Sequence, residues 1–204
     1  MRRIHRPLLL RPPVTVAAAT VWDLAGATSN YAANPTFWTA SNSSRTVTMN
    51  AVANVPMCVR GTTAKTSGKW YFEVAYAITG TTTTNIDFGV ISSAASMTDN
   101  YQTGSGKGDM TARNNGQVFS DGVANFIAST GTWANGDVIG LACDVGTNVQ
   151  VYRNNTLLTT VTLATASIKP YMAFETVPTT VAGTLNTSAA QCSFAPPSGY
   201  ANWD

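Results

Sequence analysis

Residues 136–155 read GDVIGLACDVGTNVQVYRNN, and the order of small, apolar and turn-forming residues in them decides the fold class. Asn135-Gly136 is a turn signal. Val138 to Val145 then alternates, with Ile139, Leu141, Cys143 and Val145 on one side. Gly146 closes that run, NVQVYRN opens the next, and Asn154-Asn155 turns the chain again into TLLTTVTL. A period of two with turn residues every eight to twelve positions predicts short antiparallel strands. No residue in this stretch could do obvious chemistry, so it reads as scaffold: Asp137 and Asn154-Asn155 shape turns, and the apolar side fills a core.

Working outward, the same rhythm recurs. In GKWYFEVAYAI (68–78), Trp70, Phe72, Val74, Tyr76 and Ile78 share one face, and Tyr71, Glu73, Ala75 and Ala77 share the other. The polar run from Gly80 to Asn85 reads as a turn. IDFGVIS (86–92) places Ile86, Phe88 and Val90 on one side. GQVFSDGVANFIAS (116–129) reads as a hairpin about Asp121-Gly122, a favoured two-residue turn. RTVTMNAV, MCVRGTT, IKPYMAFE, GTLNTS and CSFAPP are further extended pieces, and short ones surround Trp22 and Trp38. Helical periodicity is absent almost everywhere. Residues 94–117 carry four glycines and Asn114-Asn115, and they read as a long loop with little strand character, a place where function concentrates.

Composition agrees with an all-β chain. Charged residues are 11% of the 204, hydrophobic ones 44%. That is enough apolar material for a core, under a surface rich in Thr, Ser, Asn and Gly. The net charge of +2 gives no general case for nucleic acid. Its distribution is uneven, however. Four of the twelve basic side chains lie in the first eleven residues, leaving eight against ten acidic ones in the rest. Residues 1–17 therefore read as a basic, Pro-containing arm and 18–204 as one sandwich domain. In the arm, Arg2, Arg3, Arg6 and Arg11 flank Leu8, Leu9 and Leu10. Arg11, Pro12 and Pro13 cut the apolar run at three residues, too short for a secretory leader. The expected role is anchoring: leucines pack into a partner while Arg and Pro fix an extended path. No apolar run approaches the ~18 residues of a membrane helix.

Catalytic constellations are weak. His5, the single histidine, lies in the arm, with no strand or helix to hold it as a base. Cys58, Cys143 and Cys192 show no zinc spacing and form no complete disulfide framework; Cys143 and Cys192 read as core residues, and the usage suits a reducing cytoplasm. Asp121 and Asp137 sit at turns, which explains them without chemistry. Glu73 is expected to be partly buried and paired with an Arg or Lys. GSGKGD (104–109) lacks phosphate-loop spacing, and Asp99 and Asp109 lack EF-hand spacing. No metal or cofactor is expected. Tyr101, Gln102, Lys107 and Arg113 are the candidate ligand contacts, because Tyr and Arg are enriched in binding hot spots.

Taken in order, SGKWYFEV (67–74), DFGVIS (87–92), GDVIGLACDV (136–145), VQVYRNN (149–155), IKPYMAFE (168–175) and CSFAPPSGY (192–200) resemble the SPRY domain, also called B30.2 in its longer form. The ending FAPPSGYANW (194–203) is similar to that of SPRY domains in tailed bacteriophages. Asn155 stands where the family's hairpin has Gly, and Asn also tolerates positive φ. The resemblance implies a bent, two-sheet antiparallel β-sandwich of jelly-roll or concanavalin-like form, with an extended N-terminal arm. It implies binding without catalysis, through loops at one end. The expected function is that of a virion structural protein, a capsid or tail decoration or fibre. The arm would dock on other virion proteins, and the loops would engage a host-surface protein or glycan. The particle would be assembled in the host cytoplasm, with the chain in an oligomeric assembly. A soluble peptide-binding adaptor and a glycan-binding or glycan-cleaving sandwich are the alternatives.

Overall fold

The computed structural model describes residues 18–25, 28–29, 38–49, 57–80, 85–97, 109–120, 123–129, 131–175 and 180–204. These residues form strands and turns without helix, in two sheets. Numbering strands along the chain, the first sheet runs β1 (Thr28–Ser29), β4 (Met57–Arg60), β13 (Ile168–Glu175), β6 (Asn85–Ser92), β7 (Met110–Arg113), β8 (Gln117–Ser120) and β9 (Val123–Ser129). The second runs β12 (Thr156–Thr162), β11 (Asn148–Arg153), β10 (Val138–Asp144), β5 (Lys69–Thr79), β14 (Thr180–Asn186), β3 (Thr46–Met49) and β2 (Trp38–Ser41). A two-residue strand, β15 (Ala201–Asn202), pairs parallel to the start of β5. The other strand pairs described are antiparallel.

Alternation explains the core. Phe72, Val74, Tyr76 and Ile78 of β5 point inward with Ile139, Leu141 and Cys143 of β10, opposite Phe88 and Val90 of β6 and Met172 and Phe174 of β13. Period-two strands with one apolar face pack this way. Trp133 seals one end, stacked on Phe88 with ring centroids 5.4 Å apart and edge-on to Tyr76 at 5.9 Å. Trp203 meets Phe72 edge-on at 5.2 Å. Ile86, Phe88 and Val90 share the core side as expected, but β6 is buried on both faces, because Asp87 and Ile91 on the other side are covered as well.

The turns follow their chemistry. Asn154 and Asn155 have φ of 48° and 67°, the left-handed pair that a two-residue hairpin needs. Ser120 pairs with Val123, so β8 and β9 are antiparallel neighbours, while the expected turn at Asp121-Gly122 lies outside the described residues. Asp137 accepts from the Ala134 amide (2.7 Å) and from the Asn154 side-chain amide (2.7 Å), while Asn154 Oδ1 accepts from the Val138 N–H (2.9 Å). This clamp ties the entry of β10 to the β11–β12 hairpin.

Three expectations change. Residues 94–117 are not wholly loop, because β7 forms within them, hydrogen-bonded between β6 and β8. Its four residues are too few to show a period, and its polar side is buried rather than solvated. CSFAPP is not a strand; residues 192–197 cross the outer face of the second sheet as irregular chain, and the pairing falls later, at Ala201–Asn202. Cys192 accordingly lies half-buried in that crossing, whereas Cys143 is in the core; none of the three cysteines is in a disulfide.

Candidate functional site

Tyr101, Gln102 and Lys107 lie outside the described residues, as do Arg2, Arg3, Arg6, Leu8, Leu9, Leu10 and Arg11 of the arm and the 1–17 boundary itself. Arg113, the remaining candidate, is at the end of β7 directly opposite Asp87 of β6. Its Nε and Nη2 donate to the two Asp87 oxygens at 2.9 and 3.0 Å, and its guanidinium lies 4.5 Å from the Phe119 ring centroid. The Asp87 side chain is fully buried and that of Arg113 only 12% exposed. This fork geometry holds the outer face of the first sheet together.

Glu73 is fully buried, yet among the described residues its carboxylate forms no ion pair of the kind expected. It accepts from the backbone N–H groups of Ser193 (2.7 Å) and Phe194 (2.9 Å) and from the Tyr71 hydroxyl (3.0 Å). Amide donors satisfy a buried carboxylate as well as an ammonium does. The contact staples the C-terminal crossing onto β5. Burial, then the Glu73 charge, pushes the Tyr71 hydroxyl well above the ordinary phenol range. Burial and the same charge push the Cys192 thiol up to about 12.

The segments on either side of the crossing help to line a pocket of about 590 Å³. Three chain segments build it: Ala18 and Ala19 at the start of the described chain, Thr63 to Trp70 leading into β5, and Ser188 to Asp204 at the end. The first and last meet through Asp204, whose carboxylate accepts from the Thr20 N–H (2.7 Å), the Thr20 hydroxyl (2.5 Å) and the Thr187 hydroxyl (2.6 Å). Gln191 is held by its Oε1, which accepts from the Thr187 N–H at 3.0 Å. Gln191 also lines the pocket.

Lys65 is the cation of the site. Its backbone exchanges two hydrogen bonds with Ile168, both 2.9 Å. Its ammonium rests 3.7 Å from the Trp70 ring centroid and 5.8 Å from that of Trp203, distances at which a ring face attracts a cation. Burial lowers the Lys65 pKa, and the Asp204 charge opposes that shift. No carboxylate among the described residues lies within 4 Å of it, whereas the neighbouring Lys69 pairs with Asp144 at 3.3 Å. The Trp70 indole N–H is already used, donating to Ser67 O at 2.6 Å.

Sequence reasoning placed Trp70 on a core face and did not single out Lys65, Gln191, Trp203 or Asp204. The one available signal was the aromatic ending FAPPSGYANW. The pocket is built by three segments separated by 44 and 118 positions, which no local pattern connects.

No protein-family model and no curated protein sequence matches the chain. Solved structures do match in fold. The SPRY domain of human HERC1 superposes with a TM-score of 0.65 at 13% identity, covering 85% of this chain and 99% of that one. The TRIM65 PSpry domain gives 0.51 at 15% identity, over 73% of this chain and 85% of its own. The carbohydrate recognition domain of Emp46p gives 0.53 at 8% identity, over 80% and 88%. At these identities the likeness is one of fold: the described residues form a SPRY-like β-sandwich.

Proposed function

We propose that the chain is a non-catalytic binding module of a tailed-phage virion, displayed from capsid or tail as decoration or fibre. The observation that carries the binding reading is the contrast in how polar side chains are used. Glu73, Asp87, Asp137 and Asp144 each hold the fold together through a named partner. The pocket beside the C-terminal crossing instead keeps the Lys65 ammonium on the Trp70 ring, with no carboxylate among the described residues within 4 Å. Binding sites are concave, largely apolar and furnished with few polar groups. The virion reading draws on the sequence: the basic, leucine-bearing arm suits docking on other virion proteins, and the FAPPSGYANW ending resembles phage SPRY domains. Many copies on a particle convert weak single contacts with a host protein or glycan into useful avidity.

Particle incorporation tests it. Tagged full-length protein and a version lacking residues 1–13 are expressed in an infected host, and purified virions are probed for each. The expected result is that the full-length protein is present and the truncated one absent. Absence of both overturns the virion reading in favour of a soluble adaptor. Presence of both keeps the virion and transfers the anchoring to the sandwich.

A further inference from the structure

Resting on the reading of the chain as a binding module, we propose that the Lys65–Trp70–Gln191–Asp204 pocket binds one or two sugar rings of an uncharged glycan. Its volume of about 590 Å³ falls within the ~300–1,000 Å³ of small-molecule sites. Trp70, Trp203, Ala18 and Ala19 give it an apolar wall. The polar groups that remain are of both senses. Lys65 Nζ and the Gln191 amide nitrogen only donate, the Asp204 oxygens only accept, and the hydroxyls of Thr63 and Ser188 do either. A sugar ring matches that set, with an apolar C–H face and a rim of hydroxyls that both donate and accept.

Charge narrows the class. Among the described residues one cation and one carboxylate line the pocket, so their side chains offer no net field to an ionic ligand. An acidic sugar or peptide carboxylate reaching Lys65 would also approach Asp204, whose charge is already felt at that ammonium. An uncharged hydroxyl incurs no such repulsion. The groups are also held in place before any ligand arrives. Asp204 is fixed by Thr20 and Thr187, Gln191 by the Thr187 backbone, and Lys65 by its stacking on Trp70. Such preorganisation reduces the entropy lost on binding.

The test titrates the full-length protein with the methyl glycosides of glucose, galactose, mannose and N-acetylglucosamine, and with glucuronate, following ligand NMR signals. At least one uncharged glycoside is expected to saturate with a Kd that is roughly millimolar, as small polar ligands do. Lys65→Met should weaken it about five- to tenfold. Ala19→Trp, at an exposed rim position, should abolish it, with the thermal midpoints of both variants unchanged. Three results overturn the proposal: no saturation by any uncharged glycoside, saturation that survives Ala19→Trp, or tighter binding of glucuronate. Particle incorporation does not involve these ligands, so such a failure leaves the module reading standing.

Discussion

Removing the Glu73 carboxylate should release the C-terminal crossing before it unfolds the sandwich. In Glu73→Ala, the N–H groups of Ser193 and Phe194 lose their acceptor, and so does the Tyr71 hydroxyl. Hydrogen bonds to a charged group contribute about 1.5–3 kcal/mol each, so the two amides alone set an upper bound of about 3–6 kcal/mol. Lifting residues 192–204 into water lets those amides hydrate and limits the cost to the contacts that this C-terminal segment makes. Trp203 is the largest of these, fully buried against Phe72, and burial of such a side chain contributes about 1.5–3 kcal/mol. The cheaper route is therefore local detachment, with a net loss of about 3 kcal/mol. Glu73→Gln keeps one acceptor oxygen and should lose about half as much. Urea unfolding measures the total, and hydrogen exchange of residues 187–204 reports the detachment. A loss below about 1 kcal/mol in Glu73→Ala, with the crossing still protected, would refute the staple.

Two further outcomes follow from the same contacts. Arg113→Ala should destabilise by about 3–5 kcal/mol in urea, because it strips a buried aspartate of its bidentate partner; Arg113→Lys should restore only part of this, lacking the fork. A near-neutral Arg113→Ala would show that Asp87 does not depend on it. Alkali should destabilise the fold, since the Cys143 and Cys192 thiols and the Tyr71 and Tyr171 hydroxyls are all pushed up by burial. With folded-state values above the unfolded ones of 9.0 for Cys and 10.0 for Tyr, this stability is complete below about pH 9 and is lost as pH rises toward the folded values. Urea midpoints should hold between about pH 7 and 9 and fall beyond. A midpoint that stays flat to about pH 10.5 would contradict the burial of these groups.

How much was legible depends on how far apart in the chain the partners lie. The sandwich itself could be read from strands such as GKWYFEVAYAI and GDVIGLACDV, because a period of two is a local property of the pleated backbone. The Asn154-Asn155 hairpin could be read because left-handed φ selects among a few residue types. β7 escaped because four residues show no period and because Arg113, which looked like a surface contact, is neutralised by Asp87 on the neighbouring strand, 26 positions away. The partners of Glu73 escaped for the same reason on a larger scale: it was expected to find a cation, and it found two backbone amides 120 and 121 positions along the chain. The pocket was invisible, since Ala19, Lys65, Gln191 and Asp204 become neighbours only when Thr20 meets Asp204 across 184 positions. Alternation and turn chemistry determined which residues face inward. Which buried charges meet, and which polar groups are left over for a ligand, was decided by the register of strands distant in sequence, and only the folded chain sets that register.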